Sequence, residues 1–178
     1  ELWLDGQQLE LLSLQLDGAD WPHYRQSADG LWLQQLPAEC ELTIVTAIDP
    51  QSNTALEGLY LSNGAYCTQC EAEGFRRITF YQDRPDVMAV FTTHIIADAA
   101  LPFLLSNGNL IDSQLLADGR RKVSWHDPFP KPCYLFALVA GDFDELTGSF
   151  TTQSGREVAL KFYVDKGCRA QAEFALQA

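Results

Sequence analysis

A period of two runs through most of this chain. Leu12, Leu14 and Leu16 alternate with Ser13, Gln15 and Asp17, and Asp17-Gly18 then breaks the run. Such alternation predicts a half-buried strand ending in a turn. Leu31-Trp32-Leu33 is a short strand closed by Pro37. From Glu41 to Ile48 the positions Leu42, Ile44, Thr46 and Ile48 share one face, and Asp49-Pro50 stops the strand. Two β-branched or aromatic runs, Arg77 to Tyr81 and Met88 to Ala97, flank Asp83-Arg84-Pro85. Lys122 to Trp125 is a further short run, halted by Asp127-Pro128. Tyr134 to Ala140 is apolar throughout, the pattern of a strand covered on both faces. Phe150 to Val164 reads as a hairpin, with Val158, Leu160, Phe162 and Val164 on one face and Ser154-Gly155 at the turn. Helical signals are few: one turn at Pro85 to Val90 capped by Asp83, and Ala170 to Ala178 by composition. The predicted fold is all-β, a sandwich or saddle-like sheet of mostly antiparallel strands with little helix.

Composition narrows the partners. A chain of 178 residues is long enough for one domain with its own core, burying about 70% of its unfolded surface. Apolar residues at 47% and charged residues at 20% are globular values. A net charge of −12 repels a phosphate backbone, and no basic cluster is longer than Arg120-Arg121-Lys122. Nucleic acid is therefore excluded as an expected partner, whereas a cationic ligand such as an amine is drawn in. No apolar run approaches the about 20 residues that span a bilayer, so no membrane partner is expected. Five cysteines at irregular spacing argue for reduced thiols and a cytoplasmic setting.

The densest chemistry lies in Tyr66 to Asp86, YCTQCEAEGFRRITFYQDRPD. A structural zinc site needs four ligands, yet Cys67 and Cys70 have no second knuckle: Cys40, Cys133 and Cys168 stand alone. His23, His94 and His126 show no ligand spacing. A thioredoxin-type pair opens a helix after a strand, which Gly74 and the aromatic run do not suggest. The cysteines are thus expected to act as small hydrophobes. His94 reads as an edge or satisfied strand residue and His126 as a turn residue. Nothing along the chain completes a catalytic set. In an extended segment Gln69 and Glu71 point the same way and Cys70 the other. A carboxylate beside a carboxamide suits a ligand with both an ammonium and a carbonyl group. The residues alone leave a solvated polar loop open as well.

Four stretches carry a family resemblance. They are Thr68 to Arg76 continuing to Asp83-Arg84-Pro85-Asp86, Asn53 to Tyr60, Leu104 to Asn109, and Asp127 to Phe143. With Ser154 to Leu160 and on to Val164-Asp165, they resemble the amino-terminal domain of the bacterial aminopeptidase N family, a zinc-dependent gluzincin class of alanyl aminopeptidases. The resemblance covers about Leu2 to Gly167 and is weakest over the first 40 residues. It implies a β-rich saddle packed on a thermolysin-like catalytic domain. It also implies that Glu71 holds the free α-amine of a peptide while Gln69 borders the pocket for the first side chain.

By the same resemblance, zinc, its H-E-x-x-H ligands and a Gly-Ala-Met-Glu-Asn segment belong to the catalytic domain, and none of these motifs occurs in this sequence. The expected organisation is a β domain over 1–166, its first strands missing, and a junction over 167–178 toward that catalytic domain. The fragment itself is expected to carry no catalytic residue, no metal and no activity. The alternatives are a free-standing β-sandwich that binds a ligand or protein, and a brace in which Glu71 plays no part.

Overall fold

In the computed structural model, which describes residues 1–177, the period-two segments become strands of five antiparallel sheets. β1 (Leu2–Asp5), β2 (Glu10–Leu16), β3 (Ala19–Asp20), β4 (Tyr24–Gln26), β5 (Gly30–Leu33) and β6 (Leu42–Ala47) build the first two. Their orders are β1-β5-β4 and β3-β2-β6. Leu4, Leu14, Leu31, Leu33 and Phe80 join these sheets in one core. Leu31 and Leu33 are 0% exposed, and complete burial of such a side chain is worth about 1.5–3 kcal/mol.

One alternation is corrected here. Leu12 does not share the buried face of Leu14 and Leu16 but is 57% exposed. The register against β6 shifts between Leu11 and Ser13, so Leu11 packs on the core instead. An extra residue in one strand turns the following side chains over, which period-two counting does not register.

The second half holds β7 (Gly58–Ser62), β8 (Ala65–Gln69), β9 (Ala89–Asp98), β10 (Phe103–Ser106), β11 (Asn109–Leu115), β12 (Arg120–Lys131) and β13 (Leu138–Gly141). These form a four-stranded sheet, β10-β13-β8-β7, and a three-stranded one, β11-β12-β9. Ile95, Leu104, Val123 and Ala140 make the core that joins them. β14 (Phe143–Thr151) and β15 (Glu157–Asp165) form the hairpin expected around Ser154-Gly155, and α1 (Arg169–Gln177) packs on it. The helix expected over Ala170 to Ala178 is thus found, with Ala178 outside the described residues. The all-β class with little helix agrees with the expectation.

Four local expectations are overturned. Arg77 to Tyr81 is not a strand: Phe75–Arg77 is a 3-10 turn, and only Tyr81 makes an isolated bridge, to Asp5. Its aromatic residues serve different cores, Phe80 the first and Tyr81 a third built around Phe75. Tyr134 to Ala140 is strand only from Leu138, because Cys133–Leu135 forms a second 3-10 turn. A short apolar run does not by itself separate a strand from a buried turn. β12 does not stop at Asp127-Pro128 but continues to Lys131, which places His126 in a strand rather than a turn. Over Pro85 to Val90 there is no helix: Pro85-Asp86 is a turn, β9 already begins at Ala89, and the Asp83 carboxylate is engaged elsewhere.

Candidate functional site

The candidate residues sit where β8 ends. Gln69 is its last residue, paired across the hairpin with Gly58. The chain then turns back through Cys70 to Gly74, whose N–H donates to the Cys70 carbonyl at 2.8 Å. This turn is so tight that a Cβ on Gly74 would lie 2.3 Å from the Gln69 carbonyl oxygen. Only glycine fits there.

Alternation survives through the start of the turn. Gln69 and Glu71 are exposed, while Cys70 between them is 3% exposed. The Gln69 carboxamide donates from Nε2 to the Glu71 carbonyl at 3.0 Å, folding over the turn. Among the described residues, the Glu71 carboxylate takes part in no ion pair and no side-chain hydrogen bond. It is open to solvent, and the Gln69 contact holds the backbone that carries it.

That backbone rests on a buried polar hub. Oδ2 of Asp83 accepts the Arg76 backbone N–H at 3.1 Å and Arg76 Nε at 2.9 Å. Oδ1 accepts the Cys133 thiol at 3.0 Å. Arg76 Nη2 also donates to the Asp83 carbonyl at 3.0 Å, and the Asp83 N–H donates to Asp5 Oδ2 at 3.2 Å. Around the hub lies the third core: Cys70, Phe75 and Cys133, with Tyr81, Phe91 and Phe136 against them. Phe75 meets Tyr81 and Phe136 edge-on at 5.1 and 5.3 Å, a geometry aromatic pairs favour.

The hub sets the local electrostatics. Burial, with the nearby Asp83 charge, pushes the Cys70 thiol up to about 12. Burial and then the bond to Asp83 push Cys133 higher still. Burial works against the Arg76 charge, but the Asp83 bond and the Asp5, Asp83 and Glu73 charges outweigh it and raise its pKa. Both thiols therefore stay protonated at neutral pH.

The remaining candidates separate. His94 Nδ1 lies 2.7 Å from Ser124 Oγ, and His126 Nδ1 lies 2.9 Å from Thr92 Oγ1. No carboxylate orients either imidazole among the described residues, so the acyl-transfer arrangement is incomplete. A polar cavity of about 530 Å³, lined by Gln7, Gln8, Asp49, Asn53, Leu59 and Arg77 among others, does not include Gln69 or Glu71. Among the described residues no three His, Cys, Asp or Glu side chains gather to hold a metal ion. Among the described residues no helix is long and apolar enough to cross a membrane. The hub of Arg76, Asp83 and Cys133 escapes sequence reasoning, since no local spacing links residues so far apart.

Comparison with known proteins adds a family and relatives. A family model, the Peptidase M1 N-terminal domain, matches residues 27–135. The chain is 56% identical over 176 residues to an aminopeptidase N of Escherichia coli, covering 98% of this chain and 20% of that protein. It is 52% identical over 180 residues to an aminopeptidase N of Haemophilus influenzae, covering 99% of this chain and 21% of that protein. The chain thus spans about a fifth of the length of these relatives. Among solved structures, a Legionella pneumophila aminopeptidase A in complex with aspartic acid superposes with a TM-score of 0.93 at 37% identity. That match covers 98% of this chain and 21% of the other. An M1 zinc metallopeptidase of Deinococcus radiodurans, a mutant bound to a Tyr-Ser-Ala substrate, gives 0.78 at 20% identity and supports the fold alone. It covers 93% of this chain and 40% of the other.

Proposed function

The chain belongs to the Peptidase M1 N-terminal domain family, and from that premise we propose that it is the substrate-binding amino-terminal domain of a zinc aminopeptidase. That enzyme removes single residues from peptide amino termini. On this reading residues 1–166 are the β domain and 167–178 lead toward a catalytic domain, the intramolecular partner. The described residues bring no three metal-binding side chains together and so do not fit the zinc. The ion is assigned to the catalytic domain, where it would activate water and polarise the scissile carbonyl. Alone, the domain is inactive. Free cysteines suit the reducing cytoplasm in which we place the enzyme.

Glu71 is the anchor for the peptide α-amine, and Gln69 borders the pocket for the first side chain. The observation that carries this reading is the exposed carboxylate of Glu71, unpaired among the described residues, on a turn over which the Gln69 carboxamide folds and which is held from below. An enzyme that cuts after the first residue only must read the ammonium group. A carboxylate held one residue's length from the scissile bond measures that distance, and proximity supplies rate. A net charge of −12 favours the approach of a cationic terminus.

The test is Glu71→Ala in the full-length enzyme. A charge-assisted hydrogen bond is worth about 1.5–3 kcal/mol. Its loss lowers kcat/KM on an amino-acyl anilide on the order of ten- to a hundredfold. An unchanged kcat/KM removes the amine-anchor role and leaves the domain as a brace.

A further inference from the structure

We propose that Asp83 is a positioning residue for amine recognition: through Arg76 and Cys133 it fixes the turn that carries Glu71. The inference rests on the amine-anchor reading of Glu71 and extends it to a residue that never meets the substrate. Glu71 has no side-chain partner among the described residues, so its carboxylate goes wherever the turn goes. Upstream, the turn is tied by the pairing of Gln69 with Gly58. Downstream it is tied by Arg76, whose backbone N–H and Nε both end on Asp83 Oδ2.

Asp83 is well built for this task. Its side chain is 1% exposed and that of Arg76 is 13% exposed. A carboxylate so deeply buried has to be fully partnered, and each of its oxygens is. Oδ2 holds the turn, and Oδ1 holds Cys133, which follows β12. The Asp83 N–H donates to Asp5 at the end of β1, whose own backbone pairs with Tyr81. Asp83 thus links the amine-reading turn to the 3-10 turn after β12 through its carboxylate and to β1 through its backbone N–H. Its sequence neighbours Arg84 and Asp86 pair with each other in solvent and do not share this role.

The consequence is kinetic. Displacing a substrate-holding group by about 1 Å can cost ~10²-fold in rate. Loosening the hub should therefore weaken recognition of the amine without touching the chemistry. Asp83→Asn keeps the shape but removes the charge and turns a donor toward Arg76 or Cys133, both of which already donate.

The experiment compares two competitive inhibitors of the full-length enzyme: an amino-acid hydroxamate with a free α-amine, and its des-amino analogue. In Asp83→Asn the preference for the amine-bearing compound falls by about tenfold or more, while the des-amino inhibition constant is unchanged. A residue that merely stabilises the fold lowers the active fraction and leaves that ratio alone. Glu71→Ala is measured in parallel. If it does not collapse the ratio, the amine-anchor reading falls and takes this inference with it. If it does and Asp83→Asn does not, only the positioning role is overturned. Should Asp83→Asn fail to fold, Arg76→Lys, which keeps the charge but loses the fork, and Cys133→Ala replace it. A ratio lowered about threefold or more in either variant supports the proposal, and a smaller change or none in both overturns it.

Discussion

Cys70 and Glu71 are neighbours with opposite fates, one under the turn and one in solvent. The period of two was enough to foresee this, because alternation survives through the start of a turn. What lies under the turn was not legible. Asp83 reads locally as a helix cap before Pro85, yet its partners are seven and fifty residues away. Its neighbourhood has a testable chemical signature. Thiolates react and thiols do not, and burial with the Asp83 charge holds the Cys70 thiol up at about 12 against an ordinary 9.0. Cys70 and Cys133 should therefore resist a disulfide reagent at pH 8 until denaturant is added, whereas exposed Cys40 reacts at once. Because the folded-state value is raised, the folded protein keeps a proton that the unfolded chain releases. Stability is then fully present below pH 9 and declines as pH rises from there toward about 12. Urea midpoints at pH 8 and pH 10 would show this decline, and Cys70→Ala should reduce it. An equal decline in the variant would mean that other groups cause it.

At the scale of elements, the hairpin of β14 and β15 was legible because alternation, turn residues and register agree over its whole length. β12 was not. Pro128 and Pro130 look like terminators, but they fall where the register against β9 jumps from Asp127 to Lys131. Proline is tolerated at such a bulge because no ladder N–H is required there. Lys131 folds back onto the Asp127 carboxylate and the Phe129 carbonyl and closes the bulge. The same strand is approached closely by the turn between β10 and β11. Gly108 has φ +86°, and a Cβ there would sit 2.2 Å from the His126 carbonyl oxygen. Both the left-handed backbone and the contact with rigid strand backbone oppose a side chain. Gly108→Ala should destabilise the domain by about 2 kcal/mol or more. In a domain of this size that is roughly 4–8 °C in Tm. A thermal melt within 1 °C of the parent would show that β11 can move aside, and the close approach would not be a constraint.

For the whole molecule, the order of several long stretches pointed to the family, while no single motif completed a reaction. That division follows from the architecture: five sheets and three cores build a platform, and chemistry-bearing side chains stay dispersed on it. Zinc affinity tests the dispersal directly. Tight zinc binding takes about four ligands in tetrahedral array, with cysteines present as thiolates. Here Cys70 and Cys133 are the two cysteines buried together, and the Asp83 carboxylate beside them is already committed to Arg76 and Cys133. Recruiting them would cost two deprotonations against raised thiol pKa values and the loss of the Arg76 bond. His94 and His126 are engaged with their cross-strand partners Ser124 and Thr92 between β9 and β12. The polypeptide 1–178, dialysed against zinc and then against buffer, should retain far less than one equivalent and should not cleave amino-acyl anilides. A tight 1:1 zinc would mean that these side chains rearrange into a centre of their own, and the assignment of the metal to a separate catalytic domain would have to be abandoned.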